Sequence, residues 1–210
     1  MKIEHIYCDF DGTITQTDTV NEFYKRFADK NWILSEEKWK KGEISSRENT
    51  ITQLGLVKEV SPKDLFEFLD SIKIDNYFLD FISFIKRHDV GFTILSDGFD
   101  LFIEHTLRKY GLSHIDFYAN HLIYKDNKFN IEFPYYNNDC KKGAGMCKCG
   151  KVLHKSFCYI GDGTSDLCVA KNADVLFATK SLHNYCVKNL ITHYKFETFK
   201  EIKNILEEKL

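Results

Sequence analysis

Proline is nearly absent from this sequence, two residues in 210, and glycine stands at only 11. That composition leaves little room for the Pro/Gly-rich stretches that separate domains or stay disordered. One well-packed domain with a modest insertion is the expectation for this length. Neither sign of charge dominates. Lys and Arg number 29 against 31 Asp and Glu, a formal net charge of -2. A basic face for nucleic acid is therefore not expected. A small anionic ligand stays open, because one site can be positive on a near-neutral protein. No apolar run approaches the length of a membrane span, and the opening MKIEHIYCDF has no signal-peptide core. The seven Cys are odd in number, and without a secretion signal they point to reduced thiols in a cytoplasm. No internal repeat or low-complexity tract is found, and nothing in the composition bears on oligomeric state.

What the sequence does hold is apolar bulk: 43% hydrophobic residues, with 18 Phe and 11 Tyr. Continuous apolar runs, as opposed to alternating ones, mark strands buried on both faces, as in a parallel sheet. Four such runs occur, at Lys2–Cys8, Val90–Leu95, Phe157–Ile160 and Val175–Ala178. Helical patterns lie between them. Ser61-Pro62-Lys63-Asp64 is a helix start with a Ser cap, Pro in the first position and an acid in the first turn. Ser45 to Glu48 fits a capping box. Phe78, Phe81, Ile82 and Ile85 line one helical face. Further helices are expected over Phe99–Tyr110, over Asp166–Asn172, and through the stripe Phe199, Ile202, Ile205 and Leu206.

Strands alternating with helices predict an α/β fold, a doubly wound parallel sheet. The interval between the first two strands is far longer than one crossover needs, so residues 16–75 are expected to be an inserted helical cap over a core of residues 1–15 and 76–210. His121 to Phe133 alternates around Asp126-Asn127, a hairpin signal. It suits an edge hairpin of the sheet or a flap bordering a site.

In an open α/β sheet, ligands sit at the carboxyl ends of the strands. Four short segments there carry chemistry. Asp9 and Asp11, in Cys8-Asp9-Phe10-Asp11-Gly12-Thr13, put two carboxylates on one side of an extended chain. Such a pair is costly without a cation beside it, and carboxylate and carbonyl oxygens suit Mg²⁺. Ser96-Asp97-Gly98 offers a hydroxyl and backbone amides to a phosphate, or a plain helix cap. Lys151 is a point charge able to neutralise phosphate oxygens, though other lysines compete for that role. In Ile160-Gly161-Asp162-Gly163-Thr164-Ser165-Asp166, Asp162 suits a metal. Asp166 suits a metal-bound water, a partner for Lys151, or a helix cap.

The order DxDGT, Ser, Lys, GDGxxD resembles the four-motif pattern of the haloacid dehalogenase (HAD) superfamily, from Asp9 to Asp166. The inserted helices resemble the cap of its phosphoserine phosphatase-like branch. The resemblance implies a Mg²⁺-dependent phosphomonoesterase acting on a small phosphorylated metabolite. In it Asp9 would be the nucleophile that forms an aspartyl phosphate, and Asp11 the acid and then base. Asp9, Asp162 and the Asp11 carbonyl would hold the metal. Ser96, Asp97, Gly98 and Lys151 would surround the phosphoryl group, and Asp166 would support the shell. Asp18 stands where that branch carries an acid for a substrate ammonium, while Arg47 is the only arginine in the middle of the cap and does not match the branch's carboxylate-binding position. The CDFDGTIT opening, Trp32 and Trp39, Asn120-His121, and Cys140, Cys147 and Cys149 before Lys151 are features shared with the 2-hydroxy-3-keto-5-methylthiopentenyl-1-phosphate phosphatases.

The three thiols, with His154 as a fourth ligand, are a zinc possibility, but C-x6-C-x-C matches no common zinc spacing. Free thiols in a Gly/Lys-rich loop are the simpler expectation. A redox switch would draw on Lys141, Lys142 and Lys148. Two rival classes remain: a phosphoacceptor signalling domain, which would lack the cap and GDGxxD, and a non-catalytic binding protein on the same scaffold, which would be expected to have lost a motif residue. The ion-pumping ATPases share a similar acid site but need membrane spans.

Overall fold

The four apolar runs lie side by side in the middle of one sheet. A computed structural model describes residues 3–140 and 143–210; Lys2, Lys141 and Lys142 lie outside them. Its strands are β1 (His5–Cys8), β2 (Gly91–Phe99), β3 (Asp116–Lys125), β4 (Lys128–Glu132), β5 (Phe157–Gly161), β6 (Val175–Ala178) and β7 (Tyr194–Lys195). They are ordered β4-β3-β2-β1-β5-β6-β7. Every pairing is parallel except β3 with β4. β1 sits between β2 and β5, with Cys8 level with Ile94 on one side and Ile160 on the other. The strand order reverses there, so the carboxyl ends of β1, β2 and β5 open into one crevice.

The interval between β1 and β2 contains α1 (Thr19–Phe27), α2 (Trp32–Lys40), α3 (Ser46–Leu54) and α4 (Pro62–Ser71), then α5 (Phe78–Arg87) on the sheet. The caps behave as the sequence predicts. Ser45 and Glu48 complete both halves of a capping box, and Ser61 accepts from the Asp64 N–H with Pro62 opening the helix. Each such cap contributes about 1 kcal/mol. The chain leaves and re-enters the sheet region at adjoining points. Thr15 bridges Ile74, Gln16 N–H donates to Lys73 O, and Asp75 N–H to Ile14 O.

These four helices share one apolar cluster with the rest of the molecule. Phe23, Tyr24, Trp32, Leu65 and Phe68 pack with Phe99, Phe102 and Leu122. The β3–β4 hairpin turns at Asp126 and Asn127, both with positive φ, as those residue types allow. It is the sheet's edge and also a floor for the helices. Phe129 and Ile131 join their cluster, and the Tyr124 hydroxyl donates to Val60 O at 2.7 Å.

The remaining helices are α6 (Asp100–Lys109), α7 (Leu167–Ala170), α8 (Lys180–Lys188) and α9 (Phe199–Glu207). Two local expectations change. β2 runs on to Phe99, which holds the N-cap position of α6, so Ser96 is not a helix cap. The helix expected over 166–172 is a 3-10 turn, Thr164–Asp166, followed by the single turn of α7. Asp166 spends its carboxylate inside the site.

Candidate active site

Asp9 directly follows β1, and its N–H still bonds to Ile160 O at 2.9 Å, so the sheet fixes its backbone. Its Oδ1 accepts from the Phe10 N–H at 2.8 Å and lies 2.7 Å from Lys148 Nζ. Lys148 also reaches Asp166 Oδ1 at 2.6 Å. Asp166 is fully buried and saturated with donors. Tyr159 OH bonds to Oδ1 at 2.6 Å, and the N–H groups of Asp162 and Gly163 bond to Oδ2 at 3.0 and 2.8 Å. Gly161 is required here, because a Cβ on it would stand 2.5 Å from Asp166 Oδ2.

Asp11 faces the other way. Its Oδ1 accepts from the Thr19 N–H at 3.2 Å and from the Thr19 hydroxyl, and its Oδ2 from Ser96 Oγ at 3.2 Å. Burial, and then the Asp18 charge, push its carboxyl up to about 7, against the pull of the Thr19 and Ser96 bonds. Burial also raises Asp9 above its ordinary value. Repulsion from Asp166 adds to this and Lys148 opposes it. Asp162 is raised by burial and by Asp166. Burial alone would lower Lys148, but Asp166 and Asp9 outweigh it and hold the ammonium charged.

One carboxylate oxygen each from Asp9, Asp162 and Asp166 lie within 4.8 Å of one another. Two cations meet these three acids: Lys148 lies beside Asp9 and Asp166, and Lys180 Nζ is 3.0 Å from Asp162 Oδ2 and also donates to Gly12 O. Three carboxylates gathered this closely, presented as hard oxygen donors, fit a divalent oxygen-seeking ion such as Mg²⁺. The Asp11 carboxylate is not part of the triad.

The other expected positions divide. Ser96 is fully buried within β2, where the register shifts after Leu95, donating to Asp11 and accepting from the Gly98 N–H at 2.9 Å. Gly98 must lack a side chain, because its Cβ would lie 2.2 Å from Asp11 Oδ2. Asp97 lines the cleft but is held by others. Ser46 Oγ, Asn120 Nδ2 and the Met146 N–H donate to its carboxylate. Lys151 is displaced from the expected role. Its ammonium lies over the rings of Tyr118 and Tyr135, at 4.8 and 4.2 Å, and Lys148 takes the place beside Asp9. Both belong to one 3-10 turn, but only Lys148 is buried. The cue in the sequence is the small, apolar Gly145-Met146-Cys147 leading inward just before it. Lys180, Thr19 and Tyr159 were not anticipated, since no spacing ties them to the motifs.

Above the carboxylates opens a cleft of about 450 Å³ lined by Asp9, Asp11, Asp162 and Ser96 below and by α1–α3 above. Asp18 lines it as the N-cap of α1. Arg47 does not. Its guanidinium stacks on Phe133 and Tyr136, at 5.1 and 4.8 Å. The Cys loop forms no metal group among the described residues, where the acidic triad alone qualifies. Cys147 and Cys149 sulfurs are 3.6 Å apart as free thiols, and His154 bonds to Tyr7 OH.

The profile of the haloacid dehalogenase-like hydrolases matches residues 6–171. The chain is 30% identical over 210 residues to the 2-hydroxy-3-keto-5-methylthiopentenyl-1-phosphate phosphatase of Bacillus pumilus, covering 97% of this chain and 90% of that one. It is 31% identical to the enzyme of the same name from Bacillus velezensis, covering 96% and 89%. Its fold is similar to a phospho-aspartyl intermediate analogue of phosphoserine phosphatase, at TM-score 0.73 and 21% identity over 98% of this chain and 99% of that one. A HAD family hydrolase from Salmonella enterica serovar Typhi aligns at TM-score 0.76 and 18% identity over 100% and 73%. The motifs, the sheet that gathers them and these relatives agree: the chain belongs to the haloacid dehalogenase-like hydrolase family and is a phosphoric monoester hydrolase.

Proposed function

We propose that this enzyme is a Mg²⁺-dependent phosphomonoesterase working through an aspartyl phosphate on Asp9, with residues 16–75 as its cap. Its proposed substrate is 2-hydroxy-3-keto-5-methylthiopentenyl-1-phosphate. The observation that carries the reaction is the buried Lys148 ammonium shared by Asp9 and Asp166. It occupies Asp9 Oδ1 together with the Phe10 N–H, which leaves Oδ2 as the attacking oxygen. Phosphoryl transfer asks mainly for positioning and neutralised charge. Lys148 and Ser96 supply both for the phosphoryl oxygens.

Asp9 Oδ2 bonds to phosphorus as the bond to the leaving alcohol oxygen breaks. Asp11, held near neutral pH by burial, gives that oxygen its proton. It is then a carboxylate, ready to take a proton from the water that attacks phosphorus. The acyl phosphate bond breaks, inorganic phosphate leaves, and Asp9 is restored. Mg²⁺, when held by Asp9, Asp162 and the Asp11 carbonyl, supplies neutralisation of the transferring phosphoryl charge.

The substrate rests on the Bacillus relatives and on the cleft. Among the described residues no arginine lines it. A phosphoserine-like substrate, the second reading, would leave its carboxylate without the planar partner that suits it. The test is phosphate release from p-nitrophenyl phosphate and from the enol phosphate, with Mg²⁺ and with EDTA, by wild type and Asp9→Asn. The expected result is metal-dependent turnover of both, abolished in Asp9→Asn with an unchanged circular dichroism spectrum. Undiminished rates in chelator, or in Asp9→Asn, would overturn the mechanism. A preference for phosphoserine over the enol phosphate would overturn the substrate.

A further inference from the structure

Helix α2 carries both tryptophans of the chain, and they have different surroundings. Trp32, Ser35, Glu36 and Trp39 stand at the i, i+3, i+4, i+7 spacing that puts side chains on one face of a helix. That face meets α3. Ser35 Oγ donates to Asn49 Oδ1 at 2.7 Å, and Glu36 Oε2 accepts from Asn49 Nδ2 at 3.0 Å and Gln53 Nε2 at 3.1 Å. At the start of the stripe Trp32 is buried in the apolar cluster of the inserted helices, its ring 5.8 Å from that of Tyr24. Two turns on, Trp39 has passed beyond that cluster. It is half-buried and belongs to none of the three apolar clusters among the described residues. It lines the cleft instead.

The cleft holds little else that is apolar. Among its described lining residues, Val20 and Trp39 alone have an aliphatic or aromatic side chain, and the rest are acids, amides, hydroxyls, glycines and one lysine. Those polar groups suit a phosphoryl group, a metal and an oxygen-bearing carbon frame. They do not suit a run of CH₂ groups, whose removal from water needs an apolar wall. Trp39 also lines a second cavity, of about 700 Å³, together with Ile44, Cys140 and Gly143. Trp39, Lys40 and Thr164 line both spaces. The indole therefore stands where the two meet, in the path of the far end of an extended ligand. A ring kept there for folding alone would gain more by joining the cluster that holds Trp32. Left half-open on a cavity wall, it offers a large, rigid apolar surface whose ordering costs a ligand little entropy.

We infer that Trp39 is the specificity-determining platform for the apolar end of the substrate. It selects phosphomonoesters whose far end is a thioether or alkyl chain over those that end in a hydroxyl or a charge. This rests on the phosphomonoesterase reading and gives the methylthio end of the proposed substrate a residue to meet. Each CH₂ buried there is worth about three- to fourfold in affinity, and a thioether sulfur against an aromatic ring adds to that. The test uses the Mg²⁺-loaded enzyme, Trp39→Ala and Trp39→Phe. The substrates are 5-(methylthio)pentyl phosphate and 5-hydroxypentyl phosphate, which share the phosphate and the carbon chain and differ only at the far end. In the wild type, kcat/KM for the methylthio ester is expected to exceed that for the hydroxyl ester by about tenfold or more. In Trp39→Ala that ratio is expected to fall to within about threefold, through KM, with Trp39→Phe, which keeps a smaller ring, lying between. The absence of a wild-type preference for the methylthio ester, a ratio that survives in Trp39→Ala, or an equal loss for both esters in that variant would each overturn the assignment while leaving the phosphatase intact. No turnover of p-nitrophenyl phosphate by wild type would sink both.

Discussion

Lys148 Nζ lies 2.7 Å from Asp9 Oδ1, with both side chains almost wholly removed from solvent. A charge pair that deep is stable only while both members are present. Lys148→Met strands Asp9 and Asp166 against each other. It is expected to cost about 3–5 kcal/mol in urea unfolding of the metal-free protein, and to lower kcat for p-nitrophenyl phosphate by about 10²–10³. Lys151→Met, which loses only contacts to two tyrosine rings, is expected to stay within about twofold in kcat/KM. Comparable losses in the two variants would show that the buried pair is not the working one.

Gly98 has ordinary backbone angles, so its requirement is spatial. An added Cβ falls 2.2 Å from Asp11 Oδ2 and 3.1 Å from Ser96 Oγ. Gly98→Ala must therefore displace the acid or the strand end. The expected outcome is a loss of about 10² or more in kcat, at an overpacking cost of about 1–3 kcal/mol in unfolding. Retention of near wild-type kcat would mean that Asp11 does not need its present position.

The strands, the helix starts at Ser45 and Ser61 and the acids at strand ends were legible because each rests on local chemistry: apolar runs, caps, and carboxylates beside a turn. Lys148 was not. CKCGK holds two lysines three residues apart, and burial, which separates them, is decided by the pairing of Lys148 with the distant Asp9 and Asp166. Arg47 failed for a related reason. A capping-box helix was predicted correctly, but the direction of a long side chain from it was set by Phe133 and Tyr136 of a distant segment.

Lys180 places a positive charge 3.0 Å from Asp162, one of the three acids suited to the metal, from a side chain that is 52% exposed. As an ion pair it contributes little to folding. As a neighbour to a divalent ion it is repulsive, and a unit charge about 5 Å from a double charge amounts to about 1–2 kcal/mol even in water, less with salt. Lys180→Met is therefore expected to tighten Mg²⁺ binding by about three- to tenfold in isothermal titration calorimetry. Weaker binding would show instead that its grip on Gly12 O is what shapes the site.

His5 opens β1, with Nε2 2.8 Å from Thr93 Oγ1, its ring stacked on His154 at 4.2 Å, and Gly91 so close that a Cβ would meet Nδ1 at 2.2 Å. Burial, and then the neighbouring His154, lower its pKa to about 4, with Asp116 opposing. The unfolded ring titrates near ~6.5. Between those two pH values the unfolded chain binds a proton that the folded chain refuses, so folding stability rises with pH across that window. The stability due to neutral His5 is complete above the unfolded value and is lost as pH falls toward the folded one. Asp11, raised to about 7, acts in the opposite sense, so the comparison must be a difference between variants. His5→Gln keeps a partner for Thr93 and cannot titrate. Relative to it, wild type is expected to lose about 1 kcal/mol between about pH 7.5 and about pH 4.5, after discounting for solvent around a half-buried ring. For a chain of this size that is a relative fall of about 2–4 °C in Tm. Parallel Tm curves for the two proteins across that window would show that His5 takes up its proton without resistance from the fold.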